Sequence, residues 1–226
     1  MKRIRWFGAV WPIALRTLAS KMKAHSFGND TSEGFLVDRV RDNSVGGRYI
    51  EKVSFQETVT DPFGQPKVFE RTLYNQLEFN LTSSFPHIEF YDAPRNTQAF
   101  MSKLGEYSNF AVSVSPLTVD LMKWVDAFQS AAKTKITINS LQISGLAVDG
   151  GATAKVVLTS DKDVREALRL IVKSKNYELD KLQLKLAHDG ETIGVQLSRV
   201  GSASLEEEYF EDFLPALRAS LPRPKN

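Results

Sequence analysis

Alternation of apolar and polar residues is the strongest pattern in this sequence. One alternating run covers residues 48–59 and a second covers residues 68–81, and the stretch between them, 61–66, is rich in Pro and Gly. The apolar residues on one parity are Tyr49, Val53, Phe55 and Val59, then Phe69, Leu73, Leu77, Phe79 and Leu81. Two period-two runs joined by turn residues predict a long β-hairpin over residues 48–81.

The second half of the chain repeats this pattern in two further hairpins. Residues 136–159 alternate around Asp149-Gly150-Gly151, and residues 177–200 alternate around Asp189-Gly190. Asp-Gly and Gly-Gly pairs are typical of tight hairpin turns. The parity of the first of these runs slips near Ser140, which indicates a β-bulge.

Apolar residues at helical spacing predict about five helices. The predicted helices begin at Pro12, at Asn96 or Thr97, at Pro116, at Asp161 and at Leu205. Proline suits the first turn of a helix because its missing N–H has no partner there. The helix from Asp161 is expected to bury Val164, Leu168, Ile171 and Val172, and the amphipathic C-terminal helix runs to Leu221. Short strands are predicted at 4–10, 35–41, 87–91 and 110–114, and a turn at 43–47.

These elements together predict an α+β fold with a predominantly antiparallel sheet. The chain divides into a basic N-terminal segment, 1–34, an antiparallel meander with helices, 35–132, and a β-β-α-β-β unit with the C-terminal helix, 133–226. No Ser/Gly/Pro-rich linker separates the last two segments, so they form either two domains or one continuous domain.

Composition excludes several classes of protein. The 226 residues are 42% hydrophobic and 25% charged, which is typical of a globular protein, and none is a cysteine. Disulfides, thiolate nucleophiles, iron–sulfur clusters and cysteine zinc sites are therefore excluded. The longest apolar run is shorter than the ~20 residues that a membrane-spanning helix needs. We expect a cytoplasmic protein with no membrane span.

The formal net charge of +2 conceals an uneven distribution. The first 29 residues hold six bases and no acid, so the remaining 23 bases face 27 acids. Five acids then lie in a stretch of seven residues, 206–212, of the predicted C-terminal helix, and we call them the acidic cluster. The members of that cluster are Glu206, Glu207, Glu208, Glu211 and Asp212. We treat it as a candidate partner surface, which would pair with the basic segment within one molecule or between copies.

Three interpretations compete for the basic segment. A targeting peptide is the first: Pro12 and the bases that follow the apolar run disfavour a secretory signal, while a transit peptide would also be basic and poor in acids. A docking site for nucleic acid, an anionic surface or a partner would use bases and stacking aromatic rings. The candidate residues for that site are Lys2, Arg3, Arg5, Trp6, Trp11, Arg16, Lys21 and Lys23. In the third interpretation, the segment is a strand and a helix packed on the domain, with its charges facing water.

Motifs that carry chemistry are weak in this chain. His25, His87 and His188 are isolated, and no phosphate-binding or nucleophile-elbow motif occurs. The nearest approximation to a metal-dependent nuclease is Gln183 and Lys185 on a strand, with three upstream acids. Those acids are Asp161, Asp163 and Asp180. We assign no catalytic residue, no metal ligand and no cofactor.

The function that these observations favour is non-catalytic. We expect a protein-interaction or accessory subunit of a larger, bacterial assembly, which binds a protein partner or self-associates. Two alternatives stay open: a nucleic-acid-binding protein that contacts phosphates through the basic segment, and a nuclease or other hydrolase whose site is assembled from distant residues.

Overall fold

The computed structural model describes residues 1–148, 151–173 and 175–223. This part of the chain contains five helices and eleven strands, and every long strand pairing is antiparallel. The predicted α+β class is therefore confirmed. In chain order the elements are β1 (Lys2–Val10), α1 (Leu15–Ala24), β2 (Glu33–Arg41), β3 (Ser44–Thr60), β4 (Pro66–Thr82), β5 (Ile88–Tyr91), α2 (Gln98–Tyr107), β6 (Ser113–Pro116), α3 (Leu121–Ala132), β7 (Ile136–Ala147), β8 (Thr153–Thr159), α4 (Arg165–Val172), β9 (Glu178–His188), β10 (Glu191–Ser198), β11 (Ser202–Leu205) and α5 (Phe210–Ser220).

Contacts group these elements into two compact units. The inserted unit is Ala9–Val114, and the terminal unit combines Met1–Gly8 with the described residues from Ser115 onward. The basic segment is shared between the two units, and α3 belongs with the strands that follow it. Whether the predicted segments 1–34, 35–132 and 133–226 fold independently stays a prediction.

The inserted unit is a four-stranded antiparallel sheet with the order β2-β3-β4-β5. The predicted hairpin over 48–81 is present, with Tyr49 opposite Leu77 and Val53 opposite Leu73. Helix α1 packs on β2 and β3 and buries Leu15, Leu18 and Met22, the residues that its spacing predicts. Pro12 precedes this helix rather than beginning it.

The predicted turn at 43–47 is wrong beyond its first residue, because β3 already begins at Ser44. Two consecutive glycines suggest a turn, yet here Gly47 permits a close approach between strands. A Cβ at Gly47 would lie 2.2 Å from the carbonyl oxygen of Leu36, a distance that no side chain tolerates. The β2–β3 register also shifts between Val37 and Arg39, which places a bulge beside this contact.

The strands of the terminal unit follow the order β1-β11-β10-β9-β7-β8. Both predicted hairpins are present, as β7–β8 and β9–β10, and the register shift between Ile138 and Ser140 confirms the bulge. The Asp149-Gly150 part of the predicted turn lies outside the described residues. Helices α3 and α5 pack against each other. The buried Trp124 indole donates to the Leu217 carbonyl at 3.3 Å.

Several predicted boundaries in the terminal unit are wrong. Pro116 lies in β6, and α3 begins later, at Leu121, where the Asp120 carboxylate accepts the Lys123 N–H at 3.2 Å. The helix predicted from Leu205 begins later, because β11 ends at Leu205 and α5 begins at Phe210. Four residues are too few for a period-two pattern to stand out, yet β11 pairs with both β1 and β10.

Two further element predictions are wrong because short stretches of sequence fit more than one secondary-structure pattern. The predicted strand at 110–114 is observed at Ser113–Pro116, and Phe110 adopts a left-handed backbone with φ of 57°. Helix α4 begins at Arg165 rather than Asp161, and Ile171 is exposed rather than buried.

Gly47 provides a direct test of the close approach between β2 and β3. We expect Gly47→Ala to lower the free energy of unfolding by about 2–4 kcal/mol, because the added Cβ forces two backbones apart. Gly28→Ala is the control, since a Cβ there meets nothing within 4 Å. It should change the free energy by less than about 0.5 kcal/mol in the same urea titrations. Equal effects of the two substitutions would contradict the packing described.

Candidate interaction surface

The long hairpin extends well beyond the sheet that holds its base. Strand β2 pairs with β3 only as far as Glu51, and β5 pairs with β4 only over Glu78–Leu81. Past these points, apart from the hydrogen bond from the Lys52 N–H to the Ser32 carbonyl at 2.6 Å, β3 and β4 pair only with each other in the described part of the chain. We call residues 52–74 the arm. Its two outer edges are free over several residues, which is unusual for long strands unless they serve a contact.

The arm has two chemically different faces, which the strand register defines. Val53 lies opposite Leu73, Phe55 opposite Arg71, Glu57 opposite Phe69 and Val59 opposite Lys67. These residues form the apolar face. The reverse face carries Lys52 and Tyr74, Ser54 and Thr72, Gln56 and Glu70, and Thr58 and Val68. Since side chains alternate along a strand, the apolar face lies on the same side as buried Tyr49 and Leu77.

Five large hydrophobic residues of the apolar face are exposed to solvent. Their relative exposures lie between 41% and 54%. They are Val53, Phe55, Val59, Phe69 and Leu73. Contiguous exposed apolar side chains on a folded surface mark interaction sites, whereas single ones do not. The apolar face of the arm therefore fits a binding surface better than an ordinary solvated strand.

The charges of the arm are balanced and divided between its two faces and its tip. Residues 52–74 contain three bases and three acids. Arg71 forms an ion pair with Glu57 on the apolar face, and Lys67 lies 3.7 Å from Asp61 at its end. A neutral arm offers no general attraction to the phosphates of a nucleic acid.

The tip of the arm is an ordered turn. The Asp61 carboxylate accepts the N–H groups of Phe63 and Gln65 at 2.9 and 3.0 Å. Gly64 has a φ of 82°, a left-handed conformation that favours glycine. Phe63 is 91% exposed, so the ordered tip presents an aromatic ring to solvent.

A polar network closes the core at the base of the arm. The Tyr49 hydroxyl donates to the Glu33 carboxylate, and Lys103 Nζ lies 3.2 Å from Glu33 and 2.9 Å from Glu106. The Tyr49 hydrogen bond, with help from Lys103, holds the pKa of Glu33 below its ordinary value. Burial raises the pKa of the Tyr49 hydroxyl, and the Glu33 carboxylate raises it further. The network joins β2, β3 and α2.

The basic residues of β1 lie in the terminal unit. Lys2 lies 3.6 Å from the Glu211 carboxylate and its ammonium lies over the Phe210 ring. Arg5 lies over the ring of Phe7, which is itself buried, and Arg3 is exposed. Trp6 is completely buried, with its ring edge-on to Trp124 at 5.7 Å. Buried in this way, Trp6 has no ring face free to stack on a base.

The other basic candidates lie in the inserted unit. Trp11 donates its indole N–H to the Thr82 carbonyl at 2.8 Å, and Arg16 lies 2.5 Å from Asp42. Lys21 and Lys23 are in the last turn of α1, where positive charge complements the helix dipole. The geometry is that of a strand and a helix packed on their neighbours. Contact of these residues with nucleic acid or with a partner stays a prediction.

The acidic cluster lies at the start of α5. Glu206, Glu207 and Glu208 precede the helix, while Glu211 and Asp212 occupy its first turn, where negative charge is stabilised. The Lys2–Glu211 ion pair links the two oppositely charged segments within one molecule. Both partners are at least partly exposed, so this pair contributes little to stability.

The histidines have structural partners. His87 Nδ1 accepts the Ala9 N–H at 3.1 Å, and burial lowers the pKa of this imidazole. The ring of His25 stacks on Tyr107 at 4.8 Å, and His188 lies edge-on to Phe213 at 5.0 Å.

The nuclease candidates also take part in local structure. Asp163 binds Arg165 and the Ile138 N–H, while Asp180 lies 3.7 Å from Arg199. Gln183 and Lys185 lie on β9, and Asp161 is exposed before α4. Within the described residues, no group of three His, Asp or Glu side chains is placed to hold a metal ion. A helix long and apolar enough to cross a membrane is not found among these residues either.

Comparison with known proteins assigns no family to this chain. No protein-family model matches it, and no curated protein is similar to it in sequence. The arm carries exposed apolar side chains, whereas the binding candidates that the sequence predicts lie in the charged segments.

The Glu33 network predicts a pH-dependent stability. Because the pKa of Glu33 is lower in the folded protein, its contribution is complete above the ordinary value of 4.5 and disappears as pH falls through the folded pKa. We therefore expect Glu33→Gln to reduce the free energy of unfolding by on the order of 1 kcal/mol at pH 7 and by much less near pH 3.

Glu106→Gln is the matched control for this measurement. It removes the more exposed partner of Lys103 and leaves the Tyr49–Glu33 bond in place. We expect a change below about 0.5 kcal/mol at either pH. An effect of Glu33→Gln that is the same at pH 3 and pH 7 would show that the carboxylate charge does not stabilise the fold.

Proposed function

We propose that this chain is a non-catalytic interaction subunit of a larger assembly, and that the apolar face of the arm binds a partner protein. The observation that carries the proposal is the contrast between the two faces of one ribbon. One face aligns five large apolar side chains in solvent, and the other is mostly polar. A two-stranded ribbon gains little stability from exposing such a face.

The energy available at this face suits reversible protein binding. Burial of apolar surface contributes about 25 cal/mol per Å², so complete burial of these five side chains would yield on the order of 7 kcal/mol before the costs of association. The aromatic rings of Phe55 and Phe69 lie near the centre of the face, the position at which aromatic residues contribute most to protein interfaces.

The nucleic-acid alternative receives less support from the same residues. The arm has no net charge, the ring of Trp6 is buried, and the indole N–H of Trp11 is already donated to the Thr82 carbonyl. Binding through the basic segment would therefore depend on exposed lysines and arginines alone, which gives weak and salt-sensitive contacts.

Photo-crosslinking in the cells that naturally make the protein tests the proposal. A photoreactive amino acid replaces Phe55 on the apolar face in one variant and its neighbour Gln56 on the reverse face in the other. We expect a discrete crosslinked product of one defined mass from position 55 and little product from position 56, because only the first side chain points into the interface.

The adjacent positions share the same strand, depth and flexibility, which makes position 56 a close control. Equal labelling from both positions, or no discrete product from position 55, would count against the arm as a specific binding surface. A crosslink to a second copy of this chain and a crosslink to a different protein both agree with the proposal.

A further inference from the structure

The pattern of side chains on the apolar face is self-complementary, which bears on the identity of the partner that the proposed function requires. Each row across the face pairs a residue of β3 with one of β4: Val53 with Leu73, Phe55 with Arg71, and Glu57 with Phe69. Suppose that two arms pack face to face about a two-fold axis parallel to the strands. Each residue of one copy then lies opposite the residue that is paired, across the strands, with its equivalent in the other copy. An interface between identical chains needs this kind of self-complementary patch.

The contacts that such an axis creates are chemically favourable. Val53 would meet Leu73 of the second copy. Phe55 would lie beneath Arg71 of that copy, an arrangement that favours a cation–π contact. Glu57 would cover Phe69 and lie diagonal to the opposing Arg71. No residue lies directly opposite a like charge, so the ion pair within each arm becomes part of a cluster of two acids and two bases.

The size of the face is close to what a specific dimer needs. From the exposed fractions of its side chains, the apolar face presents on the order of 600 Å², so two copies would bury about 1,200 Å² in total. This value lies at the lower limit of stable protein interfaces, which favours weak, reversible self-association.

We propose that the apolar face of the arm binds the arm of a second copy of this chain, in parallel, about a two-fold axis. The neutral charge of the arm disfavours a polyanion, and the paired Glu57 and Arg71 disfavour a surface of either single sign. This inference rests on the proposed function and identifies the partner that the proposed function leaves unnamed.

A charge-exchange experiment tests the second copy directly. Arg71→Glu places a second acid on the apolar face beside Glu57, and Glu57→Arg places a second base beside Arg71, with Lys67 as a third. We expect each variant alone to associate at least 10-fold more weakly than the unaltered protein, because like charges then meet at the interface. A 1:1 mixture should restore heterodimers, with an affinity within about 3-fold of the original.

Sedimentation equilibrium between about 5 and 200 µM measures the affinities, and native mass spectrometry with one variant labelled with 15N identifies the heterodimer. Recovery in the mixture also shows that both variants are folded. Glu70→Arg carries the same charge change as Glu57→Arg on the reverse face, and it should leave self-association unchanged.

The possible failures are distinguishable. If the unaltered protein is monomeric throughout this range while position 55 still crosslinks to a different protein, the second-copy inference is wrong and the proposed function stands. A monomer without any discrete crosslink overturns both. Dimers that Glu70→Arg weakens as much as Glu57→Arg would place the interface elsewhere and also overturn the inference.

Discussion

The packing of aromatic rings at the base of the long hairpin fixes the register on which the arm depends. Phe35 lies 5.0 Å from Tyr49 and 5.7 Å from Phe79, and Phe100 of α2 covers the group, with its ring 5.1 Å from Phe79. A slip of one residue would turn Tyr49 and Phe79 out of the core. The same register directs Val53 and its neighbours to the same side, so the chemistry of the arm follows from the packing of its base.

The core and the apolar face form one stripe that is only partly covered. Residues 94–100 lie over the hairpin near Tyr49, Glu51 and Asn75. The Tyr49–Glu33–Lys103 network then closes the core with polar groups. Two rows past Tyr49, beyond Glu51 and Asn75, Val53 and Leu73 continue the alternation but are 42% and 54% exposed. A partner on the arm would therefore extend the hydrophobic core of the inserted unit across a subunit boundary.

Sequence patterns predicted the strands better than their surroundings. The long alternating runs located all three hairpins, because period-two burial repeats many times in each. The alternation is the same at Tyr49, which is buried, and at Phe55, which is exposed. It therefore does not show where the rest of the fold stops covering the hairpin. Charge directed attention to Lys2 and Glu211, which pair with each other. A signal for the arm was present in Glu57, Lys67 and Arg71, three charges among the apolar residues of one parity.

The reverse face explains why an exposed apolar ribbon need not polymerise. Its two exposed hydrophobic residues, Val68 and Tyr74, are separated along β4 by Glu70 and Thr72, and the Tyr74 ring meets Phe27 edge-on at 6.2 Å. Neither contributes to a continuous stripe, so a second arm has only one face on which to pack. An isologous contact through one face is closed after two copies, whereas ribbons that are apolar on both faces stack without limit. If the arm self-associates as proposed, the polar reverse face limits that association to two copies.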